Sequence, residues 1–169
     1  MARKFLAGLF LSATLLPAQN VFPPVKAANL SGKEMQMPGD FSGEYNLVLI
    51  AFERKQQTNV DTWLKPLVKL SEAHKGLRYY ELPTIDKLNA MTRFFINTGM
   101  KSGIPDKAQR DRTITLYIDK KPFKDTLKIT SEKTIYALLL DRKGDVVWRA
   151  EGDYTEDKGK ELEQFLAGK

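Results

Sequence analysis

The feature that most constrains the fold is an unbroken apolar run, LVLIAF, at residues 47–52. A run this short, partly β-branched and bounded by polar residues, is typical of a strand buried on both faces. An amphipathic pattern follows, in which apolar residues from Val60 to Leu70 recur at three- and four-residue spacing and predict a helix. The segment LRYYELP, residues 77–83, predicts a second strand. Strand, helix and strand in this order form a right-handed βαβ unit.

The rest of the chain continues this succession of helices and strands. The pattern predicts a helix at 86–101, a strand at 113–119, a short helix at 121–128, strands at 134–140 and 145–150, and a C-terminal helix that opens at Thr155. The loop 141–144 ends in glycine and predicts an antiparallel hairpin, and a smaller hairpin is predicted at 29–42. Together these patterns predict an α/β fold, a three-layer sandwich with a central mixed sheet and an N-terminal hairpin, in an order similar to that of thioredoxin.

The N-terminus has the pattern of a secretory signal. Arg3 and Lys4 precede twelve uncharged, largely apolar residues at 5–16. This stretch is shorter than the roughly 20 apolar residues of a membrane-spanning helix. We therefore predict a signal peptide at residues 1–27 and one thioredoxin-like domain at 28–169, in a periplasmic or secreted protein. Cleavage near 16–18 and a buried N-terminal helix remain as alternatives.

The chain of 169 residues contains no cysteine and one histidine, His74. Disulfide bonds, cysteine nucleophiles and dithiol redox chemistry are thereby excluded, as are thiolate and histidine-rich metal sites. We predict no metal, no cofactor and no catalytic residues. The formal charge of +6 falls to +3 without residues 1–27, because the loss of three basic residues leaves 24 basic against 21 acidic ones. This balance predicts no nucleic-acid partner.

In a thioredoxin arrangement the reactive pair follows the first buried strand, at the start of the next helix, where the helix dipole stabilises a thiolate. This chain has ERKQQTNVD at that point, residues 53–61. Alignment on the strand puts Gln56 and Asn59 at the reactive positions, and alignment on the helix proline puts Thr58 and Asp61 there. Neither pair provides a nucleophile with a nearby base. The loop therefore has the position of a redox centre without its chemistry.

Two interpretations of this loop remain open. In the first, its amides cap the helix and hydrate the loop, with Asn59 or Asp61 as the N-cap, since such residues are favoured at helix starts. In the second, they form a notch that hydrogen-bonds an extended partner segment. The candidate contacts on the second interpretation are Gln56, Gln57 and Trp63.

Residues 87–112 carry six basic and two acidic side chains, a net charge of +4. The large apolar residues interleaved with them are Met91, Phe94, Phe95 and Met100. One interpretation is a core helix with a solvated basic face, on which Leu88, Met91 and Phe95 point inward. The other is a surface for an acidic partner or for anionic lipid headgroups. The candidate contacts on that surface are Arg93, Lys101, Arg110 and Arg112.

Four strings cover most of the chain after the signal: ERKQQTNVDTWL (53–64), GLRYYELPTI (76–85), FFINTGMKSGIPDKAQRDRTITLYID (94–119) and TIYALLLDRKGDVVWRAEGDYTEDKG (134–159). They resemble a bacterial group of uncharacterised thioredoxin-like proteins that lack the redox cysteines. The last string is also similar to the mitochondrial family of F-type ATPase assembly factors, the tenth-numbered factor of the yeast series, through Leu140-Asp141, Trp148 and Gly152. That resemblance implies a membrane-associated, non-enzymatic helper in assembling the proton-channel sector, and the export signal departs from it.

The leading hypothesis is an exported, non-catalytic thioredoxin-like protein that binds a polypeptide or membrane-protein partner, as an assembly factor or chaperone would. The anionic membrane surface is a further candidate partner. The alternative is a cysteine-independent enzyme of peroxiredoxin-like ancestry, in which one cleft would gather an acid or base from Glu53, Arg54, His74 or Arg112. A purely structural envelope protein is the third hypothesis.

Overall fold

The computed structural model describes residues 20–168, in which a five-stranded sheet lies between two layers. The strands are β1 (Val25–Ala28), β2 (Glu34–Met37), β3 (Tyr45–Ala51), β4 (Leu77–Asp86), β5 (Leu116–Ile118), β6 (Tyr136–Leu140) and β7 (Val146–Glu151). The helices are α1 (Gln57–Ala73), α2 (Ala90–Gly103), α3 (Lys107–Arg112), α4 (Lys120–Leu127) and α5 (Glu156–Ala167). The predicted three-layer α/β sandwich with a central mixed sheet and an N-terminal hairpin is confirmed.

The sheet has the order β5-β4-β3-β6-β7. β3, β4 and β5 are parallel, whereas β6 is antiparallel to β3 and to β7. β3 therefore lies at the centre, and residues 47–50 of the predicted apolar run are fully buried. Since β3 and β4 are parallel, the segments that follow them emerge at the same end of the sheet, where ligands of open α/β sheets bind.

Each face of the sheet has its own hydrophobic core. Leu47 and Leu49 point to the side covered by α1 and α5, and Val48 and Ile50 point to the side covered by α4 and the N-terminal hairpin. Successive side chains of a strand alternate between faces, so both faces of β3 require apolar residues at 47–50. The unbroken run in the sequence follows from this double burial.

The N-terminal hairpin begins earlier than predicted. β1 starts at Val25 and pairs with β2, and Phe22 before it is fully buried, with its ring edge-on to those of Phe41 and Phe123. Residues 20–27 of the predicted signal peptide thus belong to the fold, and residues 1–19 lie outside the described residues. Cleavage after residue 27 would remove Phe22 and most of β1, whereas cleavage near 16–18 would leave both in place.

The boundary between β4 and α2 is a correction to the prediction. β4 runs to Asp86 rather than to residue 83, because residues 84–86 pair with β5. α2 therefore starts at Ala90 instead of residue 86, and Asn89 caps it by accepting a hydrogen bond from the backbone N–H of Thr92 at 2.9 Å. A pairing partner 32 residues away in the sequence, rather than local propensity, extends the strand.

The start of α1 is a second correction. A 3-10 turn at Arg54–Gln56 precedes the helix, which begins at Gln57, so neither Asn59 nor Asp61 is its N-cap. The helix then continues through Pro66 to Ala73. The buried apolar stripe is the predicted one.

The β6–β7 hairpin agrees with the prediction. Gly144 ends its loop with a φ of +86°, a left-handed conformation that favours glycine. Asp141 closes the loop, because its Oδ1 accepts hydrogen bonds from the N–H groups of Lys143 and Asp145 at 2.8 and 3.0 Å. This tight loop fixes the pairing of the last two strands.

Candidate functional site

The loop between β3 and α1 is filled by the side chain of Gln56, which is only 3% exposed. Its Oε1 accepts hydrogen bonds from the backbone N–H groups of Phe52 and Glu53, at 2.8 and 3.2 Å. Its Nε2 donates to the carbonyl oxygen of Glu132, which lies before β6, at 2.6 Å. One buried amide therefore satisfies three backbone groups and joins two loops at the carboxyl end of β3.

The segment that Gln56 reaches is itself anchored to α4. The Glu132 carboxylate forms ion pairs with Lys120 and Lys124, at 2.7 and 2.6 Å. Hydrogen bonds from these two ammonium groups lower the pKa of Glu132, and the one from Lys120 has the largest effect. The two loops that would flank a peptide-binding notch are thus held together, and the buried amide of Gln56 is used internally. This arrangement does not support Gln56 as a direct partner contact.

The exposed side chains in the first turn of α1 also bond within the chain. The Thr58 hydroxyl donates to the carbonyl oxygen of Lys55 at 3.2 Å, and Asn59 Nδ2 donates to Asp153 Oδ1 at 2.6 Å. No base accepts the proton of Thr58 in the described residues, so its hydroxyl is not activated as a nucleophile. The first turn of α1 thus carries neither of the predicted pairs as reactive groups.

Trp63 is fully buried in the core between α1 and the C-terminal elements. Its Nε1 donates to the carbonyl oxygen of Gly152 at 3.0 Å, and its ring lies edge-on to those of Trp148 and Tyr154. The side chain ties α1 to the segment between β7 and α5. A partner cannot reach Trp63 without opening the core, so its predicted contact role is replaced by a packing role.

Glu81 is a buried carboxylate that our sequence analysis missed. It lies in β4, is 3% exposed, and accepts hydrogen bonds from Gln109 Nε2 on Oε1 and from Gln57 Nε2 on Oε2, at 3.2 and 3.3 Å. Burial raises the pKa of Glu81, and the two amide hydrogen bonds and the nearby charge of Arg112 oppose this rise. The two-residue period of a strand could have predicted the burial of Glu81, since it places this residue on the same face as Leu77 and Tyr79.

Gln57, a predicted partner contact, therefore donates a hydrogen bond to Glu81 within the protein. Its Nε2 also donates to Asp61 Oδ1 at 2.9 Å. Gln57 is exposed and is the first residue of α1. Of the three residues predicted for the notch, Gln57 is the one that a partner can reach.

Two of the four predicted surface cations hold α3 in place. Arg110 Nη1 donates to the carbonyl oxygens of Ile104 and Pro105, at 2.8 and 2.7 Å, and so holds the turn after α2. The guanidinium carbon of Arg112 lies 4.6 Å from the centre of the Tyr79 ring, a cation–π contact. Arg110 and Arg112 therefore position α3, whereas Arg93 and Lys101 lie on α2 and are exposed.

The outer face of α2 carries large apolar side chains that nothing in the described residues covers. Met91 is 72% exposed, and Phe94 and Phe95 are each 65% exposed. None of the 14 residues of this helix is buried. The interpretation of Met91 and Phe95 as inward-facing core residues is therefore wrong, because no element within residues 20–168 lies against that face. No helix within residues 20–168 has both the length and the apolar composition needed to span a bilayer.

The inner face of α2 rests on β5 through polar contacts. The Tyr117 hydroxyl donates to Asn97 Oδ1 at 2.8 Å, and the guanidinium carbon of Arg93 lies 5.9 Å from the centre of the Tyr117 ring. The Thr115 hydroxyl lies 3.7 Å from the sulfur of Met100. These contacts set the rotation of the helix and turn Met91, Phe94 and Phe95 outward.

The residues named for a cysteine-independent enzyme do not meet in one cleft. Arg54 lies just before α1 and His74 just after it, and 17 helical residues separate them by about 25 Å. Glu53 forms an ion pair with Lys55 at 2.7 Å. Within residues 20–168, no group of three or more histidine and carboxylate side chains is arranged to hold a metal ion.

Comparisons with known proteins show the fold. No protein family model matches the chain, and no curated protein matches it in sequence. Among solved structures, the thioredoxin domain of a thiol-disulfide oxidoreductase from Bacteroides vulgatus is 21% identical with a TM-score of 0.56, over 89% of this chain and 99% of that one. The exposed lipoprotein thioredoxin of Streptococcus pneumoniae is 12% identical with a TM-score of 0.54, over 84% and 98%.

A further match is BsSco, a member of the Sco family of cytochrome c oxidase assembly proteins, which is 15% identical with a TM-score of 0.56 over 90% of this chain and 97% of that one. At these identities the likeness shows a thioredoxin-like fold, as predicted, and no shared activity. The similarity to ATPase assembly factors finds no support in these comparisons.

Proposed function

We propose that the protein is an exported thioredoxin-fold domain that carries out no thiol chemistry and acts by binding a macromolecular partner through the outer face of α2. The observation that carries this proposal is the exposure of Met91, Phe94 and Phe95 side by side on one helix. Large apolar side chains grouped on a surface mark interaction sites in soluble proteins. The outer face of α2 is defined here by these three residues together with Thr98 and Ser102.

The non-catalytic part of the proposal draws support from the α1 loop. The chain has no cysteine, and the buried amide of Gln56 holds the two loops together at the end of β3 where a reactive group would need room. The enzyme alternative lacks such support, because two of its candidate residues, Arg54 and His74, lie at opposite ends of α1. A thiol–disulfide exchange assay and a peroxidase assay on the purified protein test this part, and measurable turnover in either would contradict it.

The export part draws support from the cationic, then apolar N-terminal pattern at residues 3–16. A structural match described as an exposed lipoprotein thioredoxin is consistent with export. Fractionation of cells that produce the full chain tests it. Recovery of the protein from the cytoplasm alone would contradict export.

The partner-binding part is tested by site-specific photocrosslinking in cells. A photoreactive amino acid replaces Phe94 on α2 or, as the matched control, Val68 on α1, which is also an exposed apolar residue at 41% exposure. We expect a discrete adduct from position 94 that is absent from position 68 and is lost when Phe95→Ser is added. Identical products from both positions would contradict the proposal, and so would the absence of both a protein adduct and a lipid adduct from position 94.

A further inference from the structure

The outer face of α2 has the spacing of a helix that lies on a surface. Met91, Phe94, Phe95, Thr98 and Ser102 follow one another at three- and four-residue intervals, so they share one side of the helix. Polar contacts hold the opposite side against β5. The helix is therefore presented with its apolar side outward, as an interfacial helix would be.

The charge around this face is of one sign. Residues 87–105 contain Lys87, Arg93 and Lys101 and no acidic residue. Within residues 20–168, Lys87 and Lys101 form no ion pair. Lys101 lies two helical turns after Phe94, on the same side of the helix as the aromatic ring. The ammonium group of Lys101 thus borders the exposed apolar side chains, and Lys87 lies in the segment just before the helix.

The two acidic residues nearest in sequence to the segment 87–105 form contacts with other residues. Asp86, before the segment, forms an ion pair with Lys120 at 3.1 Å. Asp106, after it, caps α3, where its Oδ1 accepts a hydrogen bond from the N–H of Gln109 at 2.7 Å. Neither carboxylate offsets the positive charge of α2 through a contact with its lysines. The surface therefore has the chemistry that fits an apolar layer bordered by anions.

We propose that the outer face of α2 docks onto an anionic lipid bilayer, with Met91, Phe94 and Phe95 entering the headgroup region and Lys87 and Lys101 at the lipid phosphates. This inference rests on the proposed function, since it names the partner of the same surface. An amphipathic helix that combines aromatic and basic residues binds such interfaces reversibly, and each basic residue near an anionic surface strengthens the association.

Two other occupants fit the surface less well. In a symmetric dimer the same patch meets itself, so the basic side chains of one copy would face those of the other without an acid between them. The segment 1–19 also carries basic residues and no acid. The described chain begins beside β7, where Val21 bridges Asp145, at the sheet edge opposite to β5 and α2. Charge complementarity therefore favours the anionic surface.

The absence of native cysteines permits a site-specific test on the full chain. An environment-sensitive fluorophore is attached to Thr98→Cys, on the outer face of α2, or to Val68→Cys on α1 as the matched control. Vesicles contain either phosphatidylglycerol with phosphatidylcholine or phosphatidylcholine alone. Segment 1–19 is the same in all samples, so a change confined to position 98 reports on α2.

We expect a blue-shifted, stronger emission from position 98 with the anionic vesicles, and no such change from position 68. Phe94→Ser with Phe95→Ser should weaken this binding at least about tenfold, because two apolar side chains no longer enter the interface. Lys87→Glu with Lys101→Glu, or salt that shortens the Debye length to about 3 Å, should also weaken it.

The inference would be overturned by no change at position 98, by equal changes at positions 98 and 68, or by an equal response to the uncharged vesicles. A change in emission that follows protein concentration without vesicles would also overturn it, because it would indicate a second copy of the chain as the occupant. A protein adduct from the crosslinking experiment without a vesicle response would retain the proposed function and remove the bilayer as the partner. Failure of both experiments would remove the proposed function as well.

Discussion

The loop that opens α1 and the outer face of α2 are the two places where the sequence predicted contacts with a partner, and the structure treats them in opposite ways. In the loop, the polar side chain of Gln56 is buried and bonds to three backbone groups. On α2, the apolar side chains of Met91, Phe94 and Phe95 are exposed. Each place inverts the usual distribution, in which polar groups face solvent and apolar groups face the core.

The contrast separates a structural role from an interaction role. A buried amide with all its partners inside the protein stabilises the loop and offers nothing to a ligand. Exposed aromatic rings contribute little to folding, because they are solvated in the folded state and in the unfolded state alike. On the proposed function, the partner is bound by α2, which lies against the edge strand β5, and not by the loop that opens α1.

Removing residues 1–27 should lower the free energy of unfolding the most. The effects of substitutions in the α1 loop and on the outer face of α2 can be compared with this loss. A chain that begins at residue 28 loses the buried ring of Phe22 and most of β1, so its free energy of unfolding should fall by at least about 3 kcal/mol. Urea unfolding followed by circular dichroism measures this. A chain that begins at residue 20 is the control and should match the longer protein. Equal stability of the two shortened chains would show that the N-terminal segment is not part of the core.

Gln56→Ala should have the next largest effect. It leaves two backbone N–H groups and the carbonyl oxygen of Glu132 without their partner, which should lower the free energy of unfolding by about 3 kcal/mol. Gln57→Ala, at the exposed neighbouring position, is the control and should cost clearly less. If both variants unfold at the same urea concentration, the amide of Gln56 does not hold the two loops together.

Glu81→Gln should have a smaller effect that depends on pH. Burial raises the pKa of Glu81 in the folded protein, so the folded state binds a proton more tightly than the unfolded state does. The wild-type protein therefore loses this contribution as the pH rises above the ordinary glutamate value and through the raised folded value. The variant carries no such charge, so its stability relative to wild type should increase as the pH rises above the ordinary glutamate pKa of about 4.3.

Unfolding by urea at several pH values checks this prediction. Glu72→Gln, which changes an exposed carboxylate on α1, is measured in parallel as the control for the substitution itself. A stability difference for Glu81→Gln that stays constant with pH would mean that Glu81 is as well solvated in the folded protein as in the unfolded chain.

Phe94→Ser with Phe95→Ser should change stability least. Both rings are exposed, so the free energy of unfolding should stay within about 0.5 kcal/mol of wild type. Phe123→Ser, in the core on α4, is the control and should destabilise by several kcal/mol. A large loss from the α2 variant in urea unfolding would show that its rings support the fold rather than a partner.

Much of the fold was predictable because the patterns that specify it are local. The run at 47–52 predicted the central strand, and the stripe from Val60 to Leu70 predicted α1. The glycine at the end of the 141–144 loop predicted the last hairpin. The ends of elements were less predictable, since β4 extends to Asp86 through pairing with β5.

The site was less predictable than the fold. Gln56 was identified by its position after β3, but its burial depends on Glu132, 76 residues later in the chain. Glu81 was missed because the amides that bond its carboxylate come from α1 and α3. In both cases the deciding partner is distant in sequence and close in space.

The absence of cysteine, the positive segment 87–105 and most of the order of strands and helices follow from the amino-acid sequence alone, because periodicity and composition are properties of the chain before it folds. The short helix α3 was not predicted. Which faces are covered does not follow from the sequence. The stripe on α1 and the stripe on α2 have the same helical spacing, yet Trp63 is buried and Phe94 is exposed. Burial depends on whether another element lies opposite, and packing sets that between residues far apart in the chain.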